Sequence, residues 1–166
     1  MSRDLIGHLL RHPGWGGLRG RIFHKYFLLR RAMTLGARAM VLDRSAGTIF
    51  LIRHTYVPGW QLPGGGVELG QTMEEAVARE CAEEGNIVFT QPPTLRSIHL
   101  NIAVTRRDHV AFYLVEHFRQ TAPKQPDREI AEAGFFPIDR LPEGVTAATR
   151  RRIDEVIGGA TPDPYW

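Results

Sequence analysis

The sequence predicts an α/β fold, an α/β/α sandwich in which a mixed central sheet carries a helix on either face. Three observations lead there. Short apolar-rich segments separated by turns recur between residues 34 and 138, a capped helix begins among them at Thr72, and a second helical segment follows them at Ala147 to Ile157. A chain of 166 residues with 43% hydrophobic residues buries one substantial core, and it is too short for two ordinary domains with linkers.

Residues 1–33 read as a basic, partly helical N-terminal arm, 34–158 as the domain and 159–166 as a C-terminal tail. In the domain, Thr34 to Leu42 and Thr48 to His54 form a hairpin across Asp43, Arg44, Ser45, Ala46 and Gly47. Trp60 to Leu62 begins another strand. Pro63 and Gly64, Gly65 and Gly66 suit neither a helix nor a strand interior, so they are expected to form a loop brought against the next helix. That helix opens on Thr72 and Glu75, which stand at capping-box spacing. Its apolar positions Met73, Ala76, Val77 and Cys81 recur at helical period and face a core, while Arg79 and the glutamates fall away from that stripe. Gly85 and Asn86 tolerate the left-handed backbone that stops a helix. Ser97 to Val104 and His109 to Phe118 form a second hairpin around Thr105, Arg106, Arg107 and Asp108. Ala131 to Ile138 is a further strand and Ala147 to Ile157 the terminal helix. No internal repeat or low-complexity tract is present.

Composition excludes several function classes. No apolar run approaches the roughly 20 residues that cross a bilayer, and Arg3, Asp4, His8, Arg11 and His12 interrupt the N-terminus without a cleavage pattern. A cytoplasmic protein with no membrane partner is expected. Cys81 is the single cysteine, so no internal disulfide forms, and its place on the apolar stripe favours packing. The formal charge is +3, and Arg3, Arg11, Arg19, Arg21, Lys25, Arg30, Arg31 and Arg38 precede the domain's centre against Asp4 alone. Such an arm can approach phosphates or RNA. Ile22, Phe23, Tyr26, Phe27, Leu28 and Leu29 instead favour an amphipathic helix that docks on the core or makes a homodimer.

The chemistry concentrates on one helix. Residues three and four apart share a face, so Glu80 lies beside Glu83 and Glu84 and three carboxylates crowd into a patch. A hard divalent cation with oxygen ligands would relieve the repulsion. The other reading is a solvated acidic helix end. Arg53, Tyr56 and Trp60, with His54, flank the strand ahead of the glycines, where an arginine can hold phosphate and an aromatic can stack on a base; packing accounts for each equally well. Gln120 to Glu129, with Pro123, Pro126, Asp127 and Arg128, suits a substrate-side lid.

Gly65, the pair Arg79 and Glu80, apolar Cys81, the pair Glu83 and Glu84, and apolar Ile87 stand at the spacing of the Nudix box, and the segment resembles that box of the MutT-like hydrolases. The similarity runs from about Thr34 to Gly158. Gln71 stands where the family pattern has its first glutamate, and Asn86 where it has the closing glycine. The resemblance implies the sandwich fold and a hydrolase cleaving a pyrophosphate bond in a nucleoside diphosphate linked to another moiety. Nucleoside triphosphates, nucleotide sugars, ADP-ribose and dinucleoside polyphosphates all belong to that class. Mg²⁺, or Mn²⁺, is the implied cofactor. Glu80 and Glu84 are the implied metal ligands, Glu83 a third ligand or water-positioning group, the Gly64 carbonyl a backbone ligand, and Gly65 and Gly66 the glycines bordering substrate. Arg79 is expected to orient a glutamate. The general base stays open between Glu80, Glu83 and Glu129. Gln71, which keeps a hydrogen-bonding oxygen but no charge, is expected to weaken support of the site or remove a second metal position. With the basic arm it also motivates a second reading, a catalytically weak Nudix-like module binding nucleotide or RNA. The presence of Arg79, Glu80, Glu83 and Glu84 together favours the enzyme.

Overall fold

Alternation along the first two strands sets the layers. In a computed structural model that describes residues 18–166, β1 (Thr34–Asp43) and β2 (Thr48–His54) pair antiparallel across a turn in which Asp43 Oδ1 accepts from the amides of Ser45 and Ala46 at 2.9 and 3.0 Å. Ala37, Ala39 and Val41 of β1 and Phe50 and Ile52 of β2 face one side, where they pack with Ala76, Val77 and Cys81 of α2 (Met73–Gly85). Met40 and Leu42, with Ile49 and Leu51, face the other side and pack with Ile153 of α3 (Ala147–Ile157). The period of two thus fills two core layers, one under each helix, as the sandwich requires.

The sheet runs β5 (Thr94–Leu100), β6 (Asp108–Val115), β1, β2, β8 (Ile130–Pro137), with β3 (Gly64–Gly66) also on β1. β6 lies parallel to β1 over eight residues, Thr34 beside Asp108 through Val41 beside Val115, and the other pairings are antiparallel. The helix expected at Thr72 is capped as the sequence implies: the Glu75 amide donates to Thr72 Oγ1 at 3.1 Å and the Thr72 amide to Glu75 Oε2 at 2.8 Å. Asn86 closes it at φ 55°, with its amide on Ala82 O at 3.0 Å.

Three expectations are corrected. The glycines form a strand: Gly64, Gly65 and Gly66 pair with Arg38, Ala37 and Gly36. Glycine is required there because Gly64 sits at φ +140° and a Cβ would lie 2.7 Å from the Arg38 Cα. Trp60 to Leu62 forms no strand: its β pairing is limited to single bridges, Trp60 to Val145 and Gln61 to Ile52. The second hairpin is differently divided. Asn101 turns the chain early, its carbonyl accepting from Val104 and Thr105 at 3.2 and 3.1 Å, so β5 ends at Leu100. Asp108 takes the hydroxyl of Thr34 at 2.6 Å and the amide of Asn101 at 2.8 Å, which starts β6 beside β1. Phe118 to Gln120 is a separate strand, β7, paired with β4 (Ile87–Phe89) outside the main sheet.

The arm helix α1 (Leu18–Arg31) belongs to one of two compact units, Met1–Met33, and the domain to the other, Thr34–Trp166. It exposes Phe23, Tyr26 and Leu29, with Phe27 4.5 Å from Phe23 and the Arg31 guanidinium 4.8 Å over the Phe27 ring. The expectations on Arg3, Asp4, His8, Arg11 and His12 lie outside the described residues. The tail packs with the domain. Leu100 exchanges bonds with it, its amide on Pro164 O at 2.9 Å and its carbonyl taking the Trp166 amide at 3.0 Å. Beneath lies a buried group: Arg152, with Nη2 2.6 Å from Glu155 Oε1, His99 beside it, and the Trp166 ring 5.3 Å from the guanidinium. Among the described residues no helix is long and apolar enough to cross a membrane.

Candidate active site

The carboxylates of α2 meet β3 at the helix's inner face. Glu84 is 4% exposed, because it continues the Val77 and Cys81 row at helical spacing and so belongs to the apolar stripe, contrary to the expectation that all the glutamates leave it. Its Oε2 accepts the Gly64 amide at 2.7 Å, and its Oε1 lies 3.5 Å from His54 Nε2. Burial pushes its carboxyl up to about 8; the Gly64 amide and the Arg38 guanidinium oppose that rise, and the Glu80 charge adds to it. Glu80 is half-buried against the glycine strand, and a Cβ on Gly65 would stand 2.7 Å from its carboxyl carbon. Burial raises its pKa too, and Arg79 opposes the rise.

Arg79 holds the outer side together. Its Nη2 lies 3.0 Å from Glu80 Oε1 and donates to Gly66 O at 3.2 Å, while Nη1 donates to Glu83 Oε2 at 3.0 Å. Glu83 is therefore turned outward to Arg79, away from buried Glu84, and the expected three-carboxylate patch divides in two. Among the described residues no three His, Cys, Asp or Glu side chains converge as a ready-made metal cage. The donors that do gather at β3, Glu80 and Glu84, are oxygens in a setting that disfavours their negative charge. That chemistry fits a hard divalent cation. Gln71 does not reach into this group as a bare acceptor: its Oε1 takes the Glu68 amide at 3.1 Å and braces the loop before the helix.

Beyond the helix, β2 and its loop bring up His54, Tyr56 and, from the far loop, Glu129. His54 is buried, and burial followed by the Arg38 charge lowers its pKa, so it stays neutral. The Tyr56 ring lies 5.0 Å from His54, and its hydroxyl donates to Glu129 Oε1 at 3.2 Å. Arg53 is paired with Glu132 at 2.6 Å, its guanidinium 5.9 Å from the Trp60 ring. Trp60 stands apart from the other aromatic: only 8% exposed, it packs in the core 4.7 Å from Phe136, a position that packing explains and base stacking does not. A cleft of about 330 Å³ is bordered by Arg53, His54, Tyr56 and Gly59. A second, of about 320 Å³, is bordered by Gly65, Gly66, Arg38, Asn101 and Asp108.

Sequence reasoning placed Arg38 only in a tally of basic residues. It sits under β3 with Nη1 donating to Leu62 O at 2.6 Å, and both Glu80 and Glu84 act on its charge. A lone charge inside the strand sequence GARAMVL was the available signal.

The NUDIX domain family model matches residues 33–156. A Mycobacterium tuberculosis protein named as mutator protein MutT4 is 37% identical over 100 residues, which is 58% of this chain and 40% of that protein. The chain spans less than half the length of the curated relatives it matches. Among solved structures, a MutT NUDIX hydrolase from Burkholderia pseudomallei is 30% identical with a TM-score of 0.63, over 74% of this chain and 97% of that one. An ADP-ribose pyrophosphatase from Streptococcus suis is 25% identical with a TM-score of 0.54, over 74% and 90% of the two chains.

Proposed function

Because the chain belongs to the NUDIX domain family, we propose that it is a divalent-metal-dependent hydrolase. It cleaves a pyrophosphate bond in a nucleoside diphosphate linked to another moiety. The observation that carries this reading is the pair Glu80 and Glu84 set against the glycine strand, two carboxylates whose charge the protein alone does not fully compensate. The names of the similar proteins divide between MutT and ADP-ribose pyrophosphatase, so the substrate class proposed is the chemistry that these share.

Glu80 and Glu84 would hold the cation, with Mg²⁺ or Mn²⁺ the ions that suit all-oxygen donors. When bound, such an ion neutralises phosphate charge and lowers the pKa of water. The protein's own groups do the rest. The Gly64 amide fixes one oxygen of Glu84, leaving the other for coordination. Arg79 holds Glu80 through Nη2 and Glu83 through Nη1, and its positive charge offsets the repulsion between the two. Since Arg79 occupies both, Glu129 is the candidate left to take a proton from water, with the Tyr56 hydroxyl orienting its Oε1. Arg53, on the cleft wall, would exchange Glu132 for a substrate phosphate.

A panel of nucleoside triphosphates, nucleotide sugars, ADP-ribose and dinucleoside polyphosphates, assayed with Mg²⁺ for released phosphate and mononucleotide, tests the activity. Glu84→Gln should keep the fold, because the amide still accepts from Gly64, and should remove at least roughly nine-tenths of the activity. Unchanged Mg²⁺ affinity of that variant by calorimetry takes Glu84 out of the site, and no hydrolysis across the panel refutes the function.

A further inference from the structure

The loop between β7 and β8 has no regular secondary structure, yet it is fastened along its length. Gln120 Nε2 donates to Gly85 O at 2.9 Å and the Thr121 amide to Asn86 O at 2.9 Å, which anchors its start beside the end of α2. In mid-loop, Lys124 has a side chain only 14% exposed, and its Nζ donates to the Glu83 carbonyl at 2.8 Å and to Asp127 Oδ2 at 2.6 Å. The other oxygen of Asp127 accepts the amides of Glu129 and Ile130 at 2.9 and 2.7 Å. An unbroken line of bonds therefore runs from the last turn of α2 through Lys124 and Asp127 to Glu129.

We propose that Lys124 and Asp127 are positioning residues: they set the Glu129 carboxylate at a fixed place relative to Glu80 and Glu84 by tying its loop to the Glu83 carbonyl. The inference rests on the proposed role of Glu129 as base in the hydrolysis. The last carbonyls of a helix lack intrahelical partners and form its negative end, so an ammonium is well matched to one of them. Capping alone would need no Asp127, and a turn alone would need no Lys124. Joined by a charge-assisted bond, they make the loop move with the helix that bears the metal ligands. The amide that Asp127 accepts is Glu129's own, so the constraint acts at the residue whose side chain faces Tyr56. A reacting group misplaced by about 1 Å loses on the order of 100-fold in rate.

The test uses the full chain with Lys124→Met, Lys124→Arg, Asp127→Ala and Glu129→Gln. Hydrogen exchange at the Glu129 and Ile130 amides reads the constraint without catalysis, and kinetics on the best substrate of the panel reads its consequence. Lys124→Met should speed exchange at both amides, and Asp127→Ala more so. Lys124→Met should also lower kcat roughly 10- to 100-fold while KM changes by less than about threefold, and Lys124→Arg should restore most of the rate. Combined with Glu129→Gln, Lys124→Met should change kcat by less than about twofold, because its effect passes through the missing carboxylate. Equal losses with and without Glu129, or unchanged exchange at the two amides, overturn the proposal. If the wild-type protein hydrolyses nothing in the panel, the proposed function fails on its own account, and the exchange data still decide whether Lys124 and Asp127 hold Glu129.

Discussion

Glutamine in place of Glu155 isolates the electrostatics that hold α3 to the tail. Arg152 is wholly excluded from solvent, and burial lowers its pKa, with Glu155 the foremost charge acting in the other direction. Glu155 Oε1 serves two donors, Arg152 Nη2 at 2.6 Å and the Asp163 amide at 2.9 Å. Glutamine keeps the volume and an accepting oxygen, so what disappears is the negative charge. Stranding a buried charge by removing its partner costs about 3–5 kcal/mol. In a domain of this size each kcal/mol moves the melting midpoint by roughly 2–4 °C, so the expected fall is roughly 6–20 °C, read by circular dichroism in matched buffers. Arg152→Met with Glu155→Leu removes both charges and should recover more than half of that fall, since an apolar pair of similar volume replaces a buried ion pair at little net cost. A Glu155→Gln midpoint within about 3 °C of wild type, or a double variant no better than the single, refutes this account of the tail.

Three further outcomes can be checked. His99 is buried beside Arg152, and both burial and that charge lower its pKa below the ordinary 6.5. The unfolded chain takes the proton first, so the stability this neutral ring contributes is complete above about pH 6.5 and is lost as pH falls below it. The melting midpoint should drop between about pH 7.5 and 5.5, more steeply in wild type than in His99→Gln, and parallel slopes would exclude His99 as the cause. Gly65→Ala should leave the fold near wild type, because the added methyl meets only the carboxylate end of the Glu80 side chain and no backbone, yet by turning that carboxylate it should raise the Mg²⁺ concentration needed for turnover. Gly64→Ala meets backbone and a positive φ, so it should cost stability, about 1–3 kcal/mol, which chemical denaturation will show.

Much of this was legible where local rules suffice. Thr72 and Glu75 mark the start of α2, Asn86 marks its end, and two apolar-rich segments joined by the turn residues 43–47 mark a hairpin, because each signal sits within a few residues of the structure it sets. The glycine strand was not legible. Glycine has no propensity to announce a strand, and the need for it comes from Ala37, Arg38 and the distant Glu80, which only the fold brings near. Glu84 carried a readable sign in its spacing from Val77 and Cys81, but its charge argued for exposure and hid the burial. Glu83 was grouped with Glu80 and Glu84 by spacing alone, whereas the choice each side chain makes depends on Arg79 and on the Gly64 amide. Lys124 gave no local signal, since its partner is a backbone carbonyl 41 residues earlier.

The parallel ladder between β1 and β6 joins positions 74 apart, and the hairpin partner β2, the glycine strand and the whole of α2 lie inside the loop that it closes. Closing so long a loop costs entropy before its contacts repay it, so this pairing is among the slow steps of folding. Gly64 can meet Glu84 only with β3 seated on β1, next to the same strand that receives β6. A chain that has formed its early hairpin but has not seated β3 on β1 therefore has the glutamates of α2 without the Gly64 amide that orients Glu84. If Glu80 and Glu84 hold the cation as proposed, local fraying of β3 from β1 should lower activity before α2 itself unwinds.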